Sequence, residues 1–103
     1  MKGFKSTMSR VSAIPTILID NDRMRVTEWR FPPGAATGWH KHEMDYMVTP
    51  MTTGVLSIKA SDGSATEVNL VAGQPYFRET GVEHDVINVN AHEFIFIETE
   101  LKS

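Results

Sequence analysis

Apolar and polar positions alternate with period two along most of the chain, and turn residues interrupt the alternation every few residues. Thr16 to Ile19 is a β-branched apolar run closed by Asp20-Asn21-Asp22, residue types whose side chains bond back to the backbone in turns. Met24 to Phe31 follows as a strand that carries Thr27, Trp29 and Phe31 on one face, and Pro32-Pro33-Gly34 stops it. Trp39 to His42 and Asp45 to Thr49 read as extended, the latter ended by Pro50, which has no N–H to give to a sheet. Val55 to Lys59 and Thr66 to Leu70 flank Asp62-Gly63 and form the clearest hairpin, because glycine takes the positive φ of a tight turn. Tyr76 to Arg78, Asp85 to Val89 and Phe94 to Thr99 complete the pattern.

No window shows a helical stripe. Some eight short strands with regular turns predict an all-β sandwich, jelly roll or barrel, which periodicity alone does not separate. A length of 103 residues accommodates one domain. The pattern predicts a polar arm over residues 1–12, which lacks the apolar core of a secretion signal, and a β domain over residues 13–103. So small a core leaves a thin stability margin, so a homodimer is expected.

Ten basic residues against 13 acidic ones leave a net charge of -3, and the basic residues are scattered, which argues against a nucleic-acid partner. No apolar run approaches the length of a membrane span, so a soluble protein is expected, and a chain without cysteine fits a cytoplasmic location. The absence of cysteine removes disulfides and thiolate ligands, leaving nitrogen and oxygen to hold any metal.

His40 and His42 stand two apart in an extended segment, so both imidazoles fall on one face with Lys41 on the other. Such a pair reaches a common ion at about 2.0–2.1 Å, with a third ligand from another strand. His84 is the natural third. Gly34-x5-His40-x-His42 and the series Gly73, Gly81, His84 and Asn88 reproduce the spacing of the two cupin motifs, G-x5-H-x-H and G-x5-P-x-G-x2-H-x3-N. The chain from about Asp20 to Leu101 therefore resembles the cupin superfamily. The stretches ATGWHKHEMDY and YFRETGVEHDVINVNAHEF resemble small single-domain cupins, among them β-alanine degradation proteins. The resemblance implies a jelly-roll β-barrel with His40, His42 and His84 as interior ligands of one divalent transition metal ion, with Fe, Mn, Ni and Zn all left open.

Two positions depart from the motifs. The glutamate that serves cupins as fourth ligand is replaced by Tyr46 or Met47, depending on the spacing taken. A phenol is a poor ligand, so Tyr46 either packs in the interior or, as a catalytic group, donates a hydrogen bond to a bound water or substrate. Glu43 and Asp45 are the nearby carboxylates, and on a continued strand they would share Lys41's face, away from the histidines. Glu79 stands where the second motif has proline and reads as a solvated turn residue, as does His92 in Asn90-Ala91-His92, while Asn88 reads as structural.

Trp29, Phe31, Trp39, Met44, Met47, Met51, Tyr76 and Phe77 are expected to line or support an apolar cavity for a small organic ligand, and an inward Arg78 would pair with a carboxylate. Three functions follow from an open metal in such a cavity. The first is an Fe(II)-type dioxygenase acting on a small carbonyl or thiol compound, as the resemblance to three-histidine oxygenase cupins implies. The second is a redox-neutral isomerase or decarboxylase, and the third a non-catalytic metal-dependent binding domain.

Overall fold

The turn residues cut the chain into strands too short to stand alone, and they are stabilised by stacking into two layers. The computed structural model describes residues 11–102 and contains β1 (Ile14–Asp20), β2 (Met24–Phe31), β3 (His40–Lys41), β4 (Asp45–Pro50), β5 (Gly54–Lys59), β6 (Ala65–Leu70), β7 (Tyr76–Arg78), β8 (Glu83–Asn88) and β9 (Phe94–Leu101). One sheet has the order β1-β2-β9-β4-β7 and the other β3-β8-β5-β6, with every ladder antiparallel. This is a jelly roll of two facing sheets, not a single closed ladder. Of the expected arm, residues 1–10 lie outside the described residues, while Ser12 bridges to Ala36 and the Val11 carbonyl accepts the Ala36 N–H at 2.9 Å.

The β5–β6 hairpin turns as expected: Gly63 has φ 88° and the Ser64 N–H is held by Asp62 Oδ1 at 2.9 Å. Two segments differ from expectation at their ends. The extended run around the first histidines contracts to His40–Lys41, and the strand expected from Asp85 begins at Glu83, so His84 lies inside β8 and not at its opening. The reason is a shared ladder between β3 and β8, which the one-dimensional pattern does not contain.

Period-two alternation stacks the inner face of the larger sheet in cross-strand rows. Deepest is Phe31 opposite Phe94, both fully buried, and the Phe31 and Phe96 rings lie 5.3 Å apart. The next row is Pro15, Trp29, Phe96 and Pro50, then Ile17, Thr27, Glu98, Val48 and Tyr76, and last Asp20, Arg25, Glu100, Tyr46 and Arg78. The interior thus grades from aromatic to charged along the strands. Leu56 and Val86 of the smaller sheet close the apolar end. Burying a side chain such as Phe31 contributes roughly 2–3 kcal/mol, which makes the aromatic end the stable base of the fold.

Candidate metal centre

The two histidine-bearing segments run antiparallel to each other. Gly34 N donates to Asn88 O at 3.0 Å, Asn88 N to Ala35 O at 2.8 Å, Thr37 N to Val86 O at 2.9 Å, and His42 N to Val82 O at 2.8 Å. In this frame His40 stands directly opposite His84. The His42 carbonyl accepts the Gly81 N–H at 2.8 Å and the Thr80 hydroxyl at 3.2 Å. Gly81 has φ 101°, a conformation that side-chain-bearing residues rarely adopt, so glycine permits the turn that leads β8 back alongside His42.

Asn88 locks the far end. Its side chain is fully buried and donates to Phe31 O and His92 O, both at 2.9 Å, while its oxygen accepts the Asn90 N–H at 2.8 Å. The expected structural role is what the contacts show.

The three imidazoles converge. His42 Nε2 lies 3.1 Å from His40 Nε2 and 3.1 Å from His84 Nε2, and the three potential ligand atoms all fall within 4.8 Å of one another. Two nitrogens each about 2.0–2.1 Å from one ion stand roughly 3 Å apart when the angle between them is near a right angle, so the observed spacing fits a shared metal. The second nitrogen of His40 supports this. Its Nδ1 lies 2.9 Å from the Gly38 carbonyl, a pure acceptor, so Nδ1 carries the proton and Nε2 keeps its lone pair for the cluster. Burial, with the neighbouring imidazoles adding to it, lowers the pKa values of His42 and His84 to about 4, which keeps both rings neutral and able to ligate at pH 7. All-nitrogen donors of this type suit Fe, Mn, Ni or Zn.

Tyr46 is buried and stacks on His42, with ring centroids 3.8 Å apart and planes at 13°. Burial raises its pKa far above the ordinary phenol range, so it is a neutral hydroxyl and stands beside the cluster as a possible donor. Glu43 is exposed, and Asp45 Oδ1 accepts the Thr80 N–H at 2.8 Å, so neither carboxylate joins the histidines. His92 is exposed, with Nδ1 2.9 Å from the Glu93 carbonyl, and Glu79 is exposed as well.

A cavity of about 410 Å³ opens beside the histidines, and Trp29, Val48, Leu56 and Phe96 are among the residues of its wall. Trp29 and Tyr76 line it as expected, and Phe31 supports it from the core. Trp39, Met47, Met51 and Phe77 do not line it; they are 37–56% exposed. Alternation explains two of these, because Met47 and Phe77 face each other on the outer side of the sheet, out of phase with Tyr46 and Tyr76. Met44 is half-buried and also absent from the wall.

Glu98 joins the site without belonging to either histidine motif. It is buried on β9, accepts the Trp29 indole N–H at 3.3 Å, and places Oε2 3.8 Å from His42 Nδ1. Burial, reinforced by the charge of Glu100, pushes its pKa up to about 7. The phase Phe94, Phe96, Glu98, Glu100 along one strand face was the available signal. Arg25, whose Nε meets Glu100 Oε1 at 2.9 Å, was missed with it.

Two facing sheets around a histidine-walled cavity form the double-stranded β-helix architecture of cupins. No protein-family model matches the chain. It is 54% identical over 93 residues to the β-alanine degradation protein BauB of Pseudomonas aeruginosa, a match covering 90% of this chain and 97% of that protein. A cupin domain from Bordetella pertussis is similar at 54% identity with a TM-score of 0.90, over 93% of this chain and 99% of the other. A Klebsiella pneumoniae protein with a double-stranded β-helix domain shares the fold at 21% identity and a TM-score of 0.74, over 91% of this chain and 80% of its own. The chain belongs to the BauB family of small cupins.

Proposed function

We propose that the protein is a metal-dependent enzyme acting on a small organic compound, and that its reaction is an Fe(II)-type dioxygenation of a carbonyl or thiol compound. The observation that carries this reading is the convergence of three imidazole nitrogens, without a carboxylate among them, at the wall of a 410 Å³ cavity. An ion bound there by three nitrogens would supply Lewis acidity and, as Fe(II), a site for oxygen chemistry.

The chain's own residues define the rest. His40, His42 and His84 would hold the ion, and the Gly38 carbonyl, 2.9 Å from His40 Nδ1, keeps His40 Nε2 turned toward the other two imidazoles. The Tyr46 hydroxyl offers a hydrogen bond to substrate from beside His42. Trp29, Val48 and Phe96 exclude water from the deep side. A short, polar substrate is in keeping with the name of the relative, a β-alanine degradation protein. The active form in this proposal is a homodimer.

Glu98 favours a second reading, a redox-neutral isomerisation or decarboxylation with Mn, Ni or Zn. A carboxyl group with a pKa of about 7 takes up and releases a proton at neutral pH, as a general acid–base must. The deciding experiment loads metal-free protein with Fe(II) and follows oxygen uptake with small diketones, aldehydes and thiols. Oxygen consumed in proportion to substrate supports the first reading, and turnover without oxygen uptake supports the second. Binding without turnover across the panel overturns both and leaves a non-catalytic binding domain.

A further inference from the structure

The charged inner row at the open end of the larger sheet runs Asp20, Arg25, Glu100, Tyr46, Arg78 across β1, β2, β9, β4 and β7. Its charges are matched at one end. Asp20 Oδ1 receives Lys102 Nζ at 2.6 Å, and Glu100 receives Arg25. Arg78, at the other end, forms no ion pair among the described residues. Its Nη1 donates to the Phe77 carbonyl at 3.0 Å, and the guanidinium carbon stands 4.6 Å from the centroid of the Tyr76 ring. A guanidinium has five N–H donors, so most of this fork is unused, while the aromatic face steadies its plane.

Arg78 borders a second cavity of about 420 Å³ whose wall includes Tyr46 and His84, both shared with the first cavity. Ile58, Val68, Leu70 and Val82 make it largely apolar, and Arg78 is the one residue of this wall, among the described residues, that carries a full charge at pH 7. The first cavity carries both signs of charge in its wall, Arg25 and Lys41 together with Glu98 and Glu100, and Arg25 is already paired with Glu100. On the β7 side an anion therefore meets a guanidinium that no carboxylate neutralises among the described residues.

We propose that Arg78 anchors the carboxylate of the substrate, which makes the substrate class short monocarboxylates bearing a second oxygen or sulfur donor directed at the histidines. This deepens the reading of His40, His42 and His84 as a metal site and rests on it. Tyr46 sets the scale. It lies directly opposite Arg78 in the β4–β7 ladder, and its ring stacks on His42, so a single aromatic side chain separates the anchor from the histidine cluster. A carbon chain of a few atoms bridges that gap. Carboxylate and guanidinium meet edge to edge through two parallel hydrogen bonds, which fixes the orientation of the bound molecule as well as its charge.

Calorimetric titration of the wild type, Arg78→Met and Arg78→Lys tests the assignment, each with and without metal. The probes are hydroxy- and keto-carboxylates of two to five carbons, each paired with its primary amide (lactate against lactamide, pyruvate against pyruvamide), and inorganic phosphate. In the wild type at least one carboxylate is expected to bind tenfold or more tighter than its amide. Arg78→Met should erase that preference with amide affinity and metal content unchanged, and Arg78→Lys should keep part of it. The proposal is overturned if no carboxylate outbinds its amide, if the preference survives Arg78→Met, or if phosphate outbinds every carboxylate through Arg78. Wild-type protein that takes up no metal would overturn the histidine reading instead, and the metal-free titrations would still report on Arg78.

Discussion

His40 and His84 occupy directly opposed positions of the β3–β8 ladder, although 44 positions separate them in sequence. Opposed side chains of an antiparallel pair hold their Cβ atoms about 4.5–5.5 Å apart, so the backbone itself brings these two imidazoles together. His42, two positions beyond His40 on the same face, completes the cluster. The three potential ligand atoms thus stand within 4.8 Å of one another.

Replacing any one of His40, His42 or His84 by Ala is expected to lower the metal content of untagged protein at least tenfold, read by elemental analysis beside the wild type. Equal content in all four proteins would refute the site. Because His42 and His84 stay neutral down to a pKa of about 4, the wild type is expected to keep its metal between pH 7 and pH 5 and to release it as the pH falls further.

Glu98 gives the metal-free protein a pH-dependent stability of definite sign. Its pKa is 4.5 in an ordinary glutamate and about 7 in the fold, so the folded state holds the proton more tightly than the unfolded chain does. The corresponding stability is complete below about pH 4.5 and is lost as the pH rises through 7, a change on the order of 3 kcal/mol. Urea unfolding of wild type and Glu98→Gln should show the wild type losing ground across that interval. A difference independent of pH would contradict the assignment.

Asn88→Ala is expected to destabilise the fold by about 2–4 kcal/mol. The change leaves the Phe31 and His92 carbonyls and the Asn90 N–H without their buried partner, and it opens a void beside Phe31. For a domain of this size the thermal midpoint should fall by roughly 10–20 °C.

Tyr46→Phe retains the stack on His42 and removes only the hydroxyl. Metal content should stay within twofold of the wild type, and turnover, once a substrate is found, should drop at least tenfold. Unchanged turnover would reduce Tyr46 to a packing residue.

The outer face of the larger sheet carries a row without charge, Ile19, Val26, Thr99, Met47 and Phe77, that crosses all five strands. Ile19, Met47 and Phe77 are 48%, 37% and 51% exposed. A second copy packed on this row would cover it. Light scattering is expected to give a dimer for the wild type and a monomer for the double variant Met47→Asp, Phe77→Asp, while a monomeric wild type would show that this face stays open to solvent.

Strands, turns and the shared face of His40 and His42 are legible in the sequence because they depend on neighbours along the chain: alternation of period two, a glycine where φ must be positive at Gly63, and two histidines in one extended segment. Motif spacing added His84. What stands across from what is set by the assembled sheets. The ladder that sets His40 against His84, the row that puts Arg25 on Glu100 and leaves Arg78 without a carboxylate among the described residues, and the burial that lifts Glu98 toward neutrality all arise from strands distant in sequence. The same cause placed Met47 and Phe77 outside the cavity, since the face a residue takes depends on register with its partner strands, and register belongs to the sheet and not to the strand alone.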